Sequence, residues 1–169
     1  MANHSEDPRR SIIAGSWYPG SAAELRRTLD DYLDAAPKRD LPNPPVGLIA
    51  PHAGYVYSGG VAAHSYKQVE GESYEHVVVV SPVHRMPVGR YAITEHTHYQ
   101  TPLGKVPLDQ DLVQAVSDQL PINRVGVDNE HSLEIQLPFL QRVLEPFSLL
   151  PIMMGAQDPS ACRDLADAL

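Results

Sequence analysis

Four consecutive valines, Val77-Val78-Val79-Val80, constrain this chain more than any other feature. β-branched residues pack well on a pleated surface. A run with no apolar–polar alternation has no face to give to water, so such a strand is covered on both sides. The run Val46-Gly47-Leu48-Ile49-Ala50 reads the same way, as does the stretch 148–153. Residues 91–94 read as a further strand.

Helix-period segments separate these runs. Ser21-Ala22-Ala23-Glu24 is a capping box, followed by Leu25, Leu29, Tyr32 and Leu33 on one face. Pro37 ends that helix, and 38–45 is a proline-rich connection. Residues 60–69 are small enough for close helix–sheet packing. Asp109 caps a helix bearing Leu112, Val113, Val116 and Leu120. Leu133, Leu137, Leu140 and Leu144 mark a helix over 132–145, in which Pro138 predicts a kink or a late start. Asp158-Pro159 opens a final helix over 160–169.

Helices alternating with buried strands define an α/β fold with a mainly parallel sheet flanked by helices. The expected organisation is a flexible tail over 1–10 and a single domain over 11–169. Doubly wound sheets usually carry five or six strands, whereas three or four are countable here. The last helix should lead into another strand. The expectation is therefore a truncated or partial domain.

Charge narrows the function classes. There are 13 Lys and Arg against 21 Asp and Glu, for a formal charge of −8. The basic residues fall in isolated pairs, which argues against recognition of a nucleic-acid backbone. No apolar run approaches the roughly 20 residues of a membrane span. Residues 1–10 are polar and lack the apolar core of a secretory signal. The single cysteine, Cys162, excludes an internal disulfide and fits a reducing compartment. A cytoplasmic location is the expectation.

In open α/β sheets, ligands bind beyond the carboxyl ends of the strands. Pro51-His52-Ala53-Gly54-Tyr55 follows the first run and Ser81-Pro82-Val83-His84 follows the second. His52 and His84 should therefore meet at one sheet edge, and two convergent imidazoles begin a transition-metal site. His131, in Asp128-Asn129-Glu130-His131-Ser132, reads as a third ligand or an acid/base group beside the metal. Asp128, Glu130 and Glu134 are the acidic candidates for a two-histidine, one-carboxylate site. Helix capping alone would also account for them. His64 and His76 read as structural, and His96-Thr97-His98 as part of an exposed polar turn over 95–101. Cys162 reads as a small buried hydrophobe. Gly59-Gly60 before a helix is a weak phosphate-binding signal.

These segments resemble the Memo family, known in bacteria and archaea as AmmeMemoRadiSam system protein B. The resemblance rests on Ala14-Gly15-Ser16-Trp17-Tyr18-Pro19, Ala50-Pro51-His52-Ala53-Gly54-Tyr55, Ser81-Pro82-Val83-His84 and Glu130-His131-Ser132-Leu133-Glu134. Lesser matches are Tyr99-Gln100-Thr101-Pro102-Leu103-Gly104 and Leu137-Pro138-Phe139. All occur in family order. The resemblance implies a fold like that of class III (LigB-type) extradiol dioxygenases, which are non-haem Fe(II) enzymes. It implies that His52 and His84 are metal ligands and that His131 lies beside them as a pocket acid/base. Fe(II) is the favoured metal, with copper as the alternative. It also implies a functional link to AMMECR-type and radical SAM proteins. Family members continue past this length with a Ser-Asp-Phe-x-His-type segment and a cysteine that complete the pocket. Neither occurs here, so no third ligand is expected within the chain. Two functions compete: a metal-dependent, dioxygenase-like oxidoreductase, and a non-catalytic module binding a metal, small molecule or peptide. Tyr55, Tyr57 and Trp17 are candidate pocket walls for the second.

Overall fold

The computed structural model describes residues 7–144 and 146–169. It is a mixed α/β structure of two sheets flanked by helices. The main sheet contains β2 (His76–Pro82), β3 (Tyr91–Thr94), β6 (Ile122–Val125) and β7 (Ser148–Met154), in the order β2-β7-β3-β6. β2 runs parallel to β7, from His76 opposite Ser148 to Pro82 opposite Met154. β3 is parallel to β6 and antiparallel to β7. Two of the three pairings are parallel, as the uninterrupted apolar runs predict. A smaller sheet joins β1 (Pro8–Arg10), β4 (His98–Thr101) and β5 (Gly104–Pro107) in the order β1-β4-β5.

Local signals place the helices. Helix α1 (Ala22–Ala35) starts at Ser21, whose hydroxyl accepts the Glu24 N–H, and buries Leu25, Leu29 and Leu33. It packs on α2 (Tyr55–Tyr66) and α4 (Leu137–Val143). In α2, Gly59 allows the Tyr32 ring to close onto the helix; a Cβ there would lie 2.6 Å from the ring. Asp109 caps α3 (Gln110–Gln119) through the Leu112 N–H, and Asp158 caps α5 (Pro159–Ala168) through Ser160 and Ala161. Pro138 produces the late start: a 3₁₀ turn over Glu134–Gln136 precedes α4, and Pro138 occupies its first turn. Glu145, the expected end of that helix, lies outside the described residues. No helix among the described residues is long and apolar enough to cross a membrane.

Four expectations are corrected. Residues 46–50 form no strand. Instead, side chains capture the carbonyls on one edge of this segment: Tyr74 bonds Pro45, Ser65 bonds Ile49 and Gln136 bonds Pro51. Val46 and Ile49 are left in solvent, at 104% and 94% exposure. The tail assignment fails at its end, because Pro8–Arg10 is β1 and Arg9 is buried; residues 1–6 lie outside the described residues. The expected exposed turn over 95–101 contains β4, where His98, Tyr99 and Thr101 are buried. Cys162 is exposed, on the outer face of α5.

Candidate metal centre

Three loops deliver the histidines. His52 lies in the loop entering α2, His84 two residues past β2, and His131 just before the 3₁₀ turn. Their ring centroids are 5.1 Å apart for His52 and His84, 5.0 Å for His84 and His131, and 6.3 Å for His52 and His131. The expected convergence occurs, although only His84 follows a strand.

Each loop is tied down by its neighbours. The Tyr55 N–H donates to the Trp17 carbonyl at 2.8 Å, fixing the 51–55 loop on the 13–18 turn. Gly54 permits this approach, since a Cβ would sit 3.4 Å from that same carbonyl oxygen. Gly15, with φ +79°, makes the turn itself and donates to Tyr18 O. The Ser132 hydroxyl donates to Pro82 O at 2.7 Å, joining the His131 loop to the end of β2.

Glu130 organises the centre. Its carboxylate is buried, 1% exposed. Oε1 accepts the N–H groups of His131 at 2.9 Å and Ser132 at 3.1 Å, and Oε2 accepts the His84 N–H at 2.6 Å. Burial pushes this acid upward, but the N–H groups of His84, Ser132 and His131 outweigh it and hold the acid down at about 2. Glu130 is thus an anion at any ordinary pH. Oε1 also lies 3.2 Å from His84 Nδ1 and 3.1 Å from His131 Nδ1. One carboxylate therefore faces the Nδ1 side of two imidazoles, the arrangement that orients metal-binding histidines. His84, Glu130 and His131 hold donor atoms within 4.8 Å of one another and could hold a metal ion. This group contains His84, Glu130 and His131, but not His52.

Two of the imidazoles, His52 and His131, are held toward the neutral form. Burial depresses the basicity of His52, and His84 adds to the effect. Burial also depresses His131, reinforced by Arg85 and the other two histidines against the pull of Glu130. His131 Nδ1 is buried and makes no hydrogen bond. An orphaned ring nitrogen, two neighbouring imidazoles and a buried carboxylate fit a borderline transition metal such as Fe(II), Zn(II) or Cu.

The other two acidic candidates are committed to Arg9, which the sequence placed in a tail. Arg9 pairs with Glu134 and with Asp128, and donates to the Glu130 carbonyl. Glu134 also accepts from Ser11, Ile12 and Tyr18, and Asp128 accepts from Tyr99 OH and the Glu130 N–H. These bonds hold the 128–134 loop from below. Arg9 and Glu134 are 125 residues apart in sequence, so no local motif reveals the pair.

Trp17 is the aromatic wall of the site, 4.4 Å from His131 between ring centroids, with Arg85 stacked 5.8 Å above it. Tyr55, bonded to Ile135 O, and the exposed Tyr57 line a separate hollow with Trp17 that includes none of the three histidines. His64 is exposed on α2, and His76 bonds Asp109 at 2.6 Å at the opposite end of β2. Gly59-Gly60 lie inside α2, not before a helix, so no phosphate cradle forms.

Comparison with known proteins completes the picture. The family model described as "Memo-like protein" matches residues 9–169. The chain is 34% identical to "Protein MEMO1" of Danio rerio over 155 residues, covering 88% of this chain and 52% of that protein. It is 32% identical to a "MEMO1 family protein" of Nitrosopumilus maritimus, covering 95% and 62%. It is 36% identical to a "MEMO1 family protein" of Thermotoga neapolitana, covering 95% and 63%. The chain thus spans between half and two thirds of the length of these curated relatives. With its histidine loops and its α/β frame both in place, the chain belongs to the Memo-like protein family.

Proposed function

We propose that this protein binds a redox-active transition metal, Fe(II) in preference to copper, through His52 and His84. His131 serves as the acid/base of an extradiol dioxygenase-like oxidoreductase site. One observation carries the reading: three imidazoles within 6.3 Å of one another share a site with an ionised, buried Glu130. When bound, the metal supplies Lewis acidity and one-electron chemistry at open coordination positions. The chain's own residues do the rest. Glu130 holds the His84 ring and backbone in place and sets its charge beside His131 Nδ1. Burial keeps His131 neutral near pH 7, so that it can accept a proton from a bound hydroxyl group. Trp17 covers His131 and limits the approach of water.

A second reading, a binding module without turnover, draws support from Trp17 and Arg85 at the rim of the site. An aromatic face beside a cation suits a peptide or small-molecule ligand as well as a substrate. Oxygen uptake by the Fe(II)-loaded protein with a panel of catechols separates the two. Turnover that disappears in His131→Ala establishes the oxidoreductase. Absence of oxygen uptake with metal bound leaves the binding module.

A further inference from the structure

The motif Tyr99-Gln100-Thr101-Pro102-Leu103-Gly104 holds none of the histidines of the candidate centre, yet its first residue is tied to that centre. Tyr99 lies in the middle strand of the small sheet, opposite Arg9 of β1 on one side and Val106 of β5 on the other. Residues paired across strands present their side chains on the same face. The Arg9 guanidinium accordingly lies 5.3 Å from the Tyr99 ring, and both side chains reach the 128–134 loop. A slip of one residue in this register would turn both away from the loop.

Tyr99 is 1% exposed. A phenol buried this deeply needs a partner for its hydroxyl. It donates to Asp128 Oδ2 at 2.7 Å and, among the described residues, to nothing else. Burial and then Asp128 push the phenol well above its ordinary 10, so it stays a donor at any ordinary pH. Asp128 spends its other oxygen on the loop, where Oδ1 accepts the Glu130 N–H at 3.0 Å. An acceptor two residues back along the chain makes an Asx turn, which fixes the backbone between. Arg9 donates to the Glu130 carbonyl, so both peptide groups flanking the Glu130 Cα are held from the small sheet. The Glu130 carboxylate then accepts the His84 N–H at 2.6 Å and the His131 N–H at 2.9 Å. Hydrogen bonds of 3.0 Å or shorter therefore link Tyr99 to both histidines through Asp128 and Glu130.

We propose that Tyr99 is a positioning residue of the candidate metal centre. It holds Asp128, Asp128 holds Glu130, and Glu130 sets the His84 ring and the His84 and His131 backbones for a metal ion. The proposal rests on the reading of these histidines as a metal centre. Arg9 also pairs with Glu134, and its loss would disturb the whole loop. The Tyr99 hydroxyl acts on Asp128 alone, so removing it perturbs this one chain of bonds.

Tyr99→Phe tests the proposal, with Tyr91→Phe as the control. Tyr91 is equally buried and donates to Ala161 O of α5 at 2.7 Å, with no bond to the histidine loops. Three quantities are measured: Zn(II) affinity by isothermal titration, the visible bands of the Co(II)-loaded protein, and amide hydrogen exchange in the metal-free protein. Tyr99→Phe should lower Zn(II) affinity about 10-fold and shift the Co(II) bands. It should speed exchange of the Glu130, His131, Ser132 and His84 amides about 10-fold, selectively over those of β7. Tyr91→Phe should lose stability in urea and leave affinity, bands and selectivity as in the wild type. If Tyr99→Phe does not fold, Asp128→Asn, which weakens the same two bonds, should give the same pattern. Affinity and bands in Tyr99→Phe no different from those of Tyr91→Phe overturn the proposal. Wild-type protein that takes up neither ion overturns the metal reading instead. Exchange then decides for Tyr99: selective acceleration sustains its hold on Glu130, and its absence overturns it.

Discussion

Oε1 of Glu130 lies 3.2 Å from Nδ1 of His84, while Oε2 of the same carboxylate accepts the His84 backbone N–H at 2.6 Å. One buried anion therefore holds both the ring and the main chain of a candidate ligand. Glu130→Gln keeps the shape and removes the charge. Isothermal titration with Zn(II) should show affinity falling about 10- to 100-fold, with the fold retained by circular dichroism. Unchanged affinity would mean that Glu130 serves only the loop.

Arg9 is the counterion of the layer beneath. Removing one partner of a buried ion pair strands the others, so Arg9→Ala should cost about 3–5 kcal/mol in urea unfolding. Arg9→Ala/Glu134→Ala should recover part of that loss, because the stranded carboxylate is gone. Additive losses in the double variant would contradict the pairing.

Acid should destabilise this protein through three groups. His52 and His131 are depressed in the fold below the ordinary 6.5, so folding disfavours their protonation. Stability they contribute is complete above 6.5 and falls as pH drops below it. Glu130 is held at about 2 against an ordinary 4.5, so its contribution is complete above 4.5 and is lost as pH falls from there toward 2. Urea midpoints from pH 7.5 to 3 should fall in both windows for the wild type. Glu130→Gln should lose the lower one. An identical acid limb in the two proteins would remove Glu130 from this role.

Asp109 couples a helix start to the sheet. It accepts the Leu112 N–H at 3.0 Å and the Ser148 hydroxyl at 2.6 Å, and it faces His76. Asp109→Ala should lower stability by about 1–2 kcal/mol without altering metal binding, since it sits at the opposite end of β2 from His84. A change in metal affinity would show that the two ends of β2 communicate.

Features written in adjacent residues were legible. Ser21, Asp109 and Asp158 cap their helices because capping needs only a side chain and the next three N–H groups. Pro138 delays α4 because its ring conflicts with the turn before it. The convergence of His52 and His84 was legible because each follows an apolar run, although only the run before His84 is a strand. The segment 46–50 was misread because pairing depends on what stands beside it, and here Tyr74, Ser65 and Gln136 take its carbonyls instead. Arg9 was misread because a basic pair in a polar terminus looks solvated until Glu134 and Asp128 are folded over it. Glu130 was visible as an acid, but its role comes from three N–H groups that only the closed loop presents.

Anaerobic titration with Fe(II) tests the central claim most directly, comparing the wild type with His52→Ala/His84→Ala. The account predicts saturable binding near one equivalent in the wild type and a loss of about 100-fold or more in the double variant. Equal binding by the two proteins would contradict it.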